Sequence, residues 1–314
     1  MKVTSGPSGG TAAGGLLGRV RPGEVRGTVA AYLSLTKPRI VLLLLITTVP
    51  AMILAARGVP SVALIAATLF GGTLSAGGAN AVNQYVDRDI DRIMLRTRRR
   101  PLPSRRMQPE RALAFGLLLG VAGFVFLWAT TNLLAAVLAT AAMAFYVFVY
   151  TLWLKRRSPQ NIVIGGAAGA APALVGWAAV TGRVGWPAAV LFAIVFVWTP
   201  PHFWALSLRY RSDYEAAGVP MLPVVAGEDE TTRQVLLYSM ALVAVSLLLV
   251  PVAHMGLVYL VAAAVLGGRF LAAALTLRRR RTLPAAIALF RYSILYLGLL
   301  FAAVAVDTVV RFGA

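Results

Sequence analysis

The sequence contains no cysteine, which excludes thiolate catalysis, thiolate metal centres and Cys-x-x-Cys redox chemistry. Charge is scarce: 13% of the 314 residues are Asp, Glu, Lys or Arg, where a soluble domain carries about 25%. Only eleven residues are acidic, against thirty basic ones, and there are two histidines, His202 and His254. What fills the space is apolar, 59% of the chain, above the roughly 45–50% of soluble domains. The uncharged runs are long enough to cross a bilayer as helices, which takes about 20 residues. A soluble enzyme, a disordered chain and a disulfide scaffold are therefore excluded.

Residues 1–30, rich in Gly, Ser and Ala without an apolar period, read as a flexible tail, and 31–314 as one membrane domain. Nine apolar segments follow, at 40–56, 61–86, 112–130, 132–153, 161–181, 187–208, 234–254, 256–276 and 284–310. The expected fold is all-α and polytopic. Lys and Arg alternate among the connections: six up to Arg39, nine in 88–111, three in 155–157, three in 209–233 and four in 278–281. The other connections hold only Arg57 and Arg183, or none. An excess of Lys and Arg marks cytoplasmic loops, so the expected N-terminus is cytoplasmic and the C-terminus outside. The net charge of +19 then belongs to topology, with the lipid bilayer and not nucleic acid as partner.

Nine of the eleven acidic residues fall in two cytoplasmic connections, one holding Asp87, Asp89, Asp91 and Glu110, the other Asp213, Glu215, Glu228, Asp229 and Glu230. In the first, Asn83, Asp87 and Asp91 step by i+4 along one helix face, with Asn80 joining them. Like charges at that spacing repel unless a cation sits between them. Hard oxygen ligands suit Mg²⁺, which takes one or two carboxylates together with substrate phosphates. Asp89, flanked by Arg88 and Arg92, reads as structural. Downstream, Arg96-Thr-Arg98-Arg99-Arg100-Pro101-Leu-Pro103 doubles as a topogenic patch and a diphosphate clamp, since Arg forks and a divalent ion together hold a diphosphate. Lys37-Pro38-Arg39 and Lys155-Arg156 offer further donors.

The sixth segment ends Trp198-Thr-Pro200-Pro201-His202-Phe203-Trp204 and leads to Arg209 and Asp213. If the helix persists, His202, Arg209 and Asp213 share one face. An ionisable residue inside a span is a functional candidate; a neutral histidine bonded to a neighbouring group is the plainer alternative. Pro200-Pro201 is expected to kink the helix and free carbonyls. His254 reads as interfacial and Glu228-Asp229-Glu230 as a helix cap. The glycines at 71–72, 77–78, 165–166 and 169 read as close-packing positions.

The strings Leu35-Thr-Lys37-Pro38-Arg39 and Asn83-x3-Asp87-Arg-Asp-Ile-Asp91-Arg-x-Met94-x-Arg96-Thr97 resemble the UbiA superfamily of intramembrane prenyltransferases. Arg100-Pro-Leu-Pro103, Tyr150-Thr151 through Asn161-Ile-Val-Ile-Gly165-Gly166, Pro201-His202 and Asp213-Tyr214 through Gly218-x-Pro220-Met-Leu-Pro223 are similar to its heme-modifying branch. The resemblance covers roughly residues 33–300. It implies a UbiA-type nine-helix bundle in the bacterial inner membrane, its active site on the cytoplasmic side. Its implied activity is farnesyl transfer from farnesyl diphosphate to a vinyl group of heme B, with water added, giving heme O and diphosphate. Mg²⁺ would be held by Asn83, Asp87, Asp91 and Asp213. Lys37, Arg39, Asn80, Arg96, Arg100, Lys155, Arg156, His202 and Arg209 would bind substrate. Downstream partners would be heme A synthase or heme-copper oxidase assembly. The family's second motif is often Asp-x3-Asp, but position 217 is Ala, so Asp213 lacks that partner. Two alternatives remain open: a related enzyme with another aromatic or tetrapyrrole acceptor, and a secondary transporter. Transport is disfavoured because both acidic clusters lie at one membrane surface, whereas transporter sites lie near the midplane.

Overall fold

In bilayer the backbone must satisfy its own polar groups, which leaves helices for an apolar chain of this kind. The computed structural model describes residues 22–312, and every regular element among them is helical. In chain order these are α1 (Pro22–Leu35), α2 (Pro38–Ala56), α3 (Val62–Val86), α4 (Arg88–Ile93), α5 (Pro109–Thr130), α6 (Leu133–Ala144), α7 (Asn161–Thr181), α8 (Trp186–Arg209), α9 (Arg211–Ala216), α10 (Leu222–Val225), α11 (Gly227–Ala253), α12 (Leu257–Arg280) and α13 (Leu283–Phe312). Beyond Ala144, α6 continues as a π-helical stretch, Phe145–Trp153, and one tight turn, Leu154–Arg156.

Among the described residues eight helices are long and apolar enough to span a bilayer: α3, α5, α6 with its extension, α7, α8, α11, α12 and α13. They occupy the expected second to ninth segments. The first falls on α2, whose described apolar part, Ile46–Ala56, is shorter. Helix α1 starts inside the segment expected as a tail; residues 1–21 lie outside the described residues. Helix α11 begins at Gly227 rather than at 234, because Glu228, Asp229 and Glu230 suit a helix N-terminus. Asp229 also accepts from Arg278 at 2.6 Å and Arg281 at 2.5 Å, tying α11 to the end of α12.

Small residues let the helices approach closely, as expected for packing in lipid. Between α3 and α5, a Cβ at Gly78 would lie 2.6 Å from the Gly116 carbonyl oxygen and one at Gly123 3.0 Å from the Ser75 nitrogen. A larger side chain at either would overpack the seam, which costs about 1–3 kcal/mol. Gly166 is packed against Thr199, while Gly72 and Gly169 face open space. The main core joins α8, α11, α12 and α13 around Trp204, Tyr259, Phe270, Tyr296 and Phe301. A separate apolar cluster, Ile90, Met94, Ile162, Tyr214, Val219 and Met221, fastens the segment after α3 to the segment after α8. That cluster brings the two acidic connections to the same end of the bundle.

Candidate active site

Helix α3 ends at Val86, but hydrogen bonds from Asp87 N to Asn83 O (2.9 Å) and from Asp91 N to Asp87 O (2.8 Å) carry the i→i−4 pattern across the joint into α4. Asn83, Asp87 and Asp91 are all buried. Two carboxylates so close to an apolar interior require counter-charges. Lys155 bonds Asp87 Oδ2, and Arg100 Nη1 donates to Asp91 Oδ2 at 2.7 Å. Lys37 Nζ donates to Asn83 Oδ1 at 3.0 Å, while Asn83 Nδ2 donates to Asp87 Oδ2 at 2.7 Å and Thr151 Oγ1 at 3.2 Å. Asp87 Oδ1 is buried and has no partner among the described residues.

Each cation is delivered by a distinct local device. Lys37 turns the chain between α1 and α2 with φ 51° and ψ 62°, a left-handed conformation that costs an L-residue about 1–2 kcal/mol. The turn is pinned by Asn80 Nδ2 donating to Thr36 O (3.2 Å) and Gln84 Nε2 to Leu35 O (2.8 Å). Burial, with Arg100 and Lys155 beside it, lowers the Lys37 pKa to about 7, against the opposing pull of Asp87 and Asp91. Lys155 follows the π-helical stretch, where Thr151 Oγ1 donates to Tyr146 O at 2.7 Å. Tyr146 is stacked on Tyr150 with ring centroids 5.3 Å apart and lies within electrostatic reach of Asp87, Asp91 and Arg100.

The second connection closes over the first. Asp213 is buried and its Oδ2 accepts from the Arg96 backbone N–H at 3.3 Å. The Arg96 guanidinium stands over the Tyr210 ring, 5.5 Å from its centroid. The expected continuous face from His202 to Asp213 is not found. Helix α8 stops at Arg209, Tyr210 takes φ −108° and ψ 24°, and α9 restarts at Arg211. The break leaves Arg209 exposed, 5.6 Å from the Tyr210 ring, while Asp213 is buried. Pro200 and Pro201 lie inside an unbroken α8. Lacking N–H groups, they leave the carbonyls four residues earlier without helix donors.

The other sequence-derived residues fall in different places. Arg156 forks Asp89 through two 2.7 Å bonds on the exposed side, away from the buried carboxylates, and this pairing holds the Asp89 carboxyl at about 2. Asn80 braces the Lys37 turn rather than facing the carboxylates. The Arg39 side chain lies outside the described residues. His202 is sandwiched between Trp198 (centroids 4.2 Å apart) and Phe290 (4.8 Å), and its Nδ1 bonds Ser293 Oγ at 2.6 Å. Exposed His254 ends α11. Gln84, Tyr146 and Ser293 are not singled out by the sequence and Thr151 enters there only within a family-like string, although Gln84, at i+4 from Asn80, shares its face.

No three His, Asp or Glu side chains converge into a ready-made metal cage among the described residues. The donor set still fits Mg²⁺, which uses few protein carboxylates and takes phosphate and water oxygens for the rest. Asp87 Oδ1 is a buried carboxylate oxygen left free of any partner among the described residues, as such ligation would need.

The chain matches the model of the UbiA prenyltransferase family over residues 44–303. It is 58% identical over 285 residues to a protein of Frankia alni called protoheme IX farnesyltransferase, covering 90% of this chain and 99% of that one. Its fold is similar to the apo structure of a UbiA homologue from Aeropyrum pernix, with a TM-score of 0.70 at 20% identity, over 86% of this chain and 98% of that one. It is similar also to a UbiA homologue from Archaeoglobus fulgidus bound to DMAPP and Mg²⁺, with a TM-score of 0.57 at 16% identity, covering 88% and 99% of the two chains.

Proposed function

The chain belongs to the UbiA prenyltransferase family, and from that premise we propose that it transfers the farnesyl group of farnesyl diphosphate to a vinyl group of protoheme IX, with addition of water, giving heme O and diphosphate. The observation that carries this reading is the burial of Asp87 and Asp91 among Lys37, Arg100 and Lys155 at one end of the bundle. Such a cluster matches the needs of a departing diphosphate: fixed positive groups where negative charge develops, and carboxylates that keep them in place beforehand. In bonds, the allylic carbon–oxygen bond breaks and its electron pair leaves with the diphosphate. The freed farnesyl carbon then bonds the terminal vinyl carbon, and water adds to the inner vinyl carbon with loss of a proton.

Asn83, Asp87, Asp91 and Asp213 would hold Mg²⁺, which supplies further positive charge to the leaving diphosphate. Lys37 exchanges its Asn83 contact, and Arg100 and Lys155 their carboxylate contacts, for phosphate oxygens as substrate enters, with Arg96 and Arg39 completing the clamp. Asn80 and Gln84 hold the Lys37 turn, and Thr151 orients Asn83. His202 has Nδ1 committed to Ser293, so Nε2 is the atom left to position the heme, beside the flat apolar faces of Trp198 and Phe290. On this reading α2 is the first of nine spans, residues 31–314 form one domain, and the active site faces the cytoplasm of a bacterial inner membrane. Heme A synthase or heme-copper oxidase assembly would take the product. The test is purified protein incubated with heme B, farnesyl diphosphate and Mg²⁺, with heme O read by mass spectrometry. Prenylation of another acceptor in place of heme B would overturn the assignment.

A further inference from the structure

On the same side of the fold as the positively charged loop after α4, a cleft of about 390 Å³ opens between α1 and the start of α5. It is lined by Arg92, Arg105, Arg106 and Arg111, with Tyr32 and Gln108. None of the four guanidinium groups forms a salt bridge or side-chain hydrogen bond among the described residues. Arg96 and Arg100, the loop residues of the candidate active site, do not line it. A topogenic charge needs only to stay on its side of the membrane; it does not need to converge with three others on a concavity that holds no acidic side chain among the described residues.

The backbone is arranged for that convergence. Arg105 adopts φ 57°, and bonds from Arg105 N to Leu102 O (3.1 Å) and Arg106 N to Pro101 O (2.9 Å) fold the loop tightly. The cleft also receives the N-terminus of the 22-residue α5, where Gln108 makes no side-chain cap and the first-turn N–H groups add partial positive charge. Glu110, the acidic residue of that turn, is exposed and does not line the cleft. Below it, α5 exposes Leu117, Leu118 and Val121 at 52%, 67% and 63%, a lipid-facing wall that begins two turns from the cleft.

We propose that this cleft binds an anionic phosphate group, with the headgroup of an anionic phospholipid as its source and the acyl chains running along α5. Arg forks and helix N–H groups are the usual phosphate donors, and a cleft at the head of a lipid-facing helix places the phosphate at headgroup depth. Soluble phosphate shares the chemistry and forms the second arm of the test.

Native mass spectrometry of the full chain in detergent, titrated with phosphatidylglycerol or phosphatidylcholine, reads the lipid arm. Thermal unfolding with inorganic phosphate alone reads the soluble arm. The variants are Arg105→Gln/Arg106→Gln/Arg111→Gln and the single Arg111→Gln, with Arg98→Gln/Arg99→Gln/Arg157→Gln as the control for an equal loss of three charges outside the cleft. Phosphatidylglycerol is expected to bind at least about tenfold more tightly than phosphatidylcholine, and Arg111→Gln to weaken it about tenfold. The triple variant loses the preference and the control keeps it. Protection by inorganic phosphate that disappears in the triple variant, without lipid preference, supports the site with a soluble ligand. Wild-type behaviour of the cleft variants in both arms, or an equal loss in the control, overturns the proposal. The single variant on the rigid α5 carries the test if the triple variant does not fold.

Discussion

Lys37 sits between two cations and two carboxylates, and its pKa near 7 makes it the residue through which pH acts on the site. The unfolded chain keeps that proton up to the ordinary lysine range, while the folded chain releases it near neutrality. Over that window the unfolded state binds more protons, so this group makes stability rise with pH. Substrate binding runs the opposite way, because diphosphate favours the charged ammonium and its binding takes up a proton. Farnesyl diphosphate affinity should therefore fall by up to about tenfold per pH unit above pH 7, and Lys37→Arg, which stays charged, should flatten the profile. An unchanged slope in that variant would remove Lys37 from the contact. Asp87→Ala and Asp91→Ala should lower turnover by about 10²–10³ while the protein still inserts, and chelator should do the same to the wild type; full activity in excess chelator would end the Mg²⁺ reading. His202→Ala should reduce heme affinity and leave farnesyl diphosphate affinity intact, measured separately by titration. Equal affinities for heme in variant and wild type would return His202 to a packing role against Trp198 and Ser293.

At the scale of elements, the apolar runs and the i+4 ladder were legible because both follow from period and composition. Asn83, Asp87 and Asp91 share a face whatever the tertiary fold, and the alternation of Lys and Arg marks the connections before any packing is known. The π-helical stretch was not legible: one extra residue in a uniformly apolar run leaves every hydropathy signal unchanged while rotating all that follows by about 100°. Nor was the break at Tyr210, where Arg209 and Asp213 fall on different surfaces and tertiary anchoring of Tyr214 and Asp213 outweighs helix continuity. The same reasoning predicts that deleting Phe148, which is 64% exposed, will return the stretch to α-helical register with the residues on either side left in place, because the wider turns absorb the one extra residue. Lys155 then keeps its contact with Asp87, and farnesyl diphosphate affinity and unfolding temperature should both stay near wild type. A loss of affinity of about tenfold, one charge-assisted contact, with the unfolding temperature unchanged would show that the π turns themselves set the position of Lys155.

For the whole molecule, the open question is how many times the chain crosses, and the site itself supplies the argument. Lys37, at the start of α2, reaches Asn83 near the end of α3 at 3.0 Å, while residues 57–61 join the opposite ends of the two helices. Helix α2 must therefore run antiparallel to α3 from one end of the bundle to the other, covering the same thickness as a helix that is 25 residues long. We propose on this ground that α2 is a ninth crossing beside the eight longer helices. The absence of native cysteine makes this directly measurable, since single cysteines introduced at exposed positions, and at half-buried Gly58 in the α2–α3 connection, have no background. Val29→Cys, Arg98→Cys and Glu215→Cys should react with a membrane-impermeant maleimide only after cells are permeabilised, and Gly58→Cys and Arg183→Cys in intact cells. The discriminating position is Val29. If α2 does not cross, Val29 labels together with Gly58 from outside while Arg98 and Glu215 stay protected. If it does cross, Val29 is protected with them, and Lys37 enters the site from the same cytoplasmic face as Arg100 and Lys155.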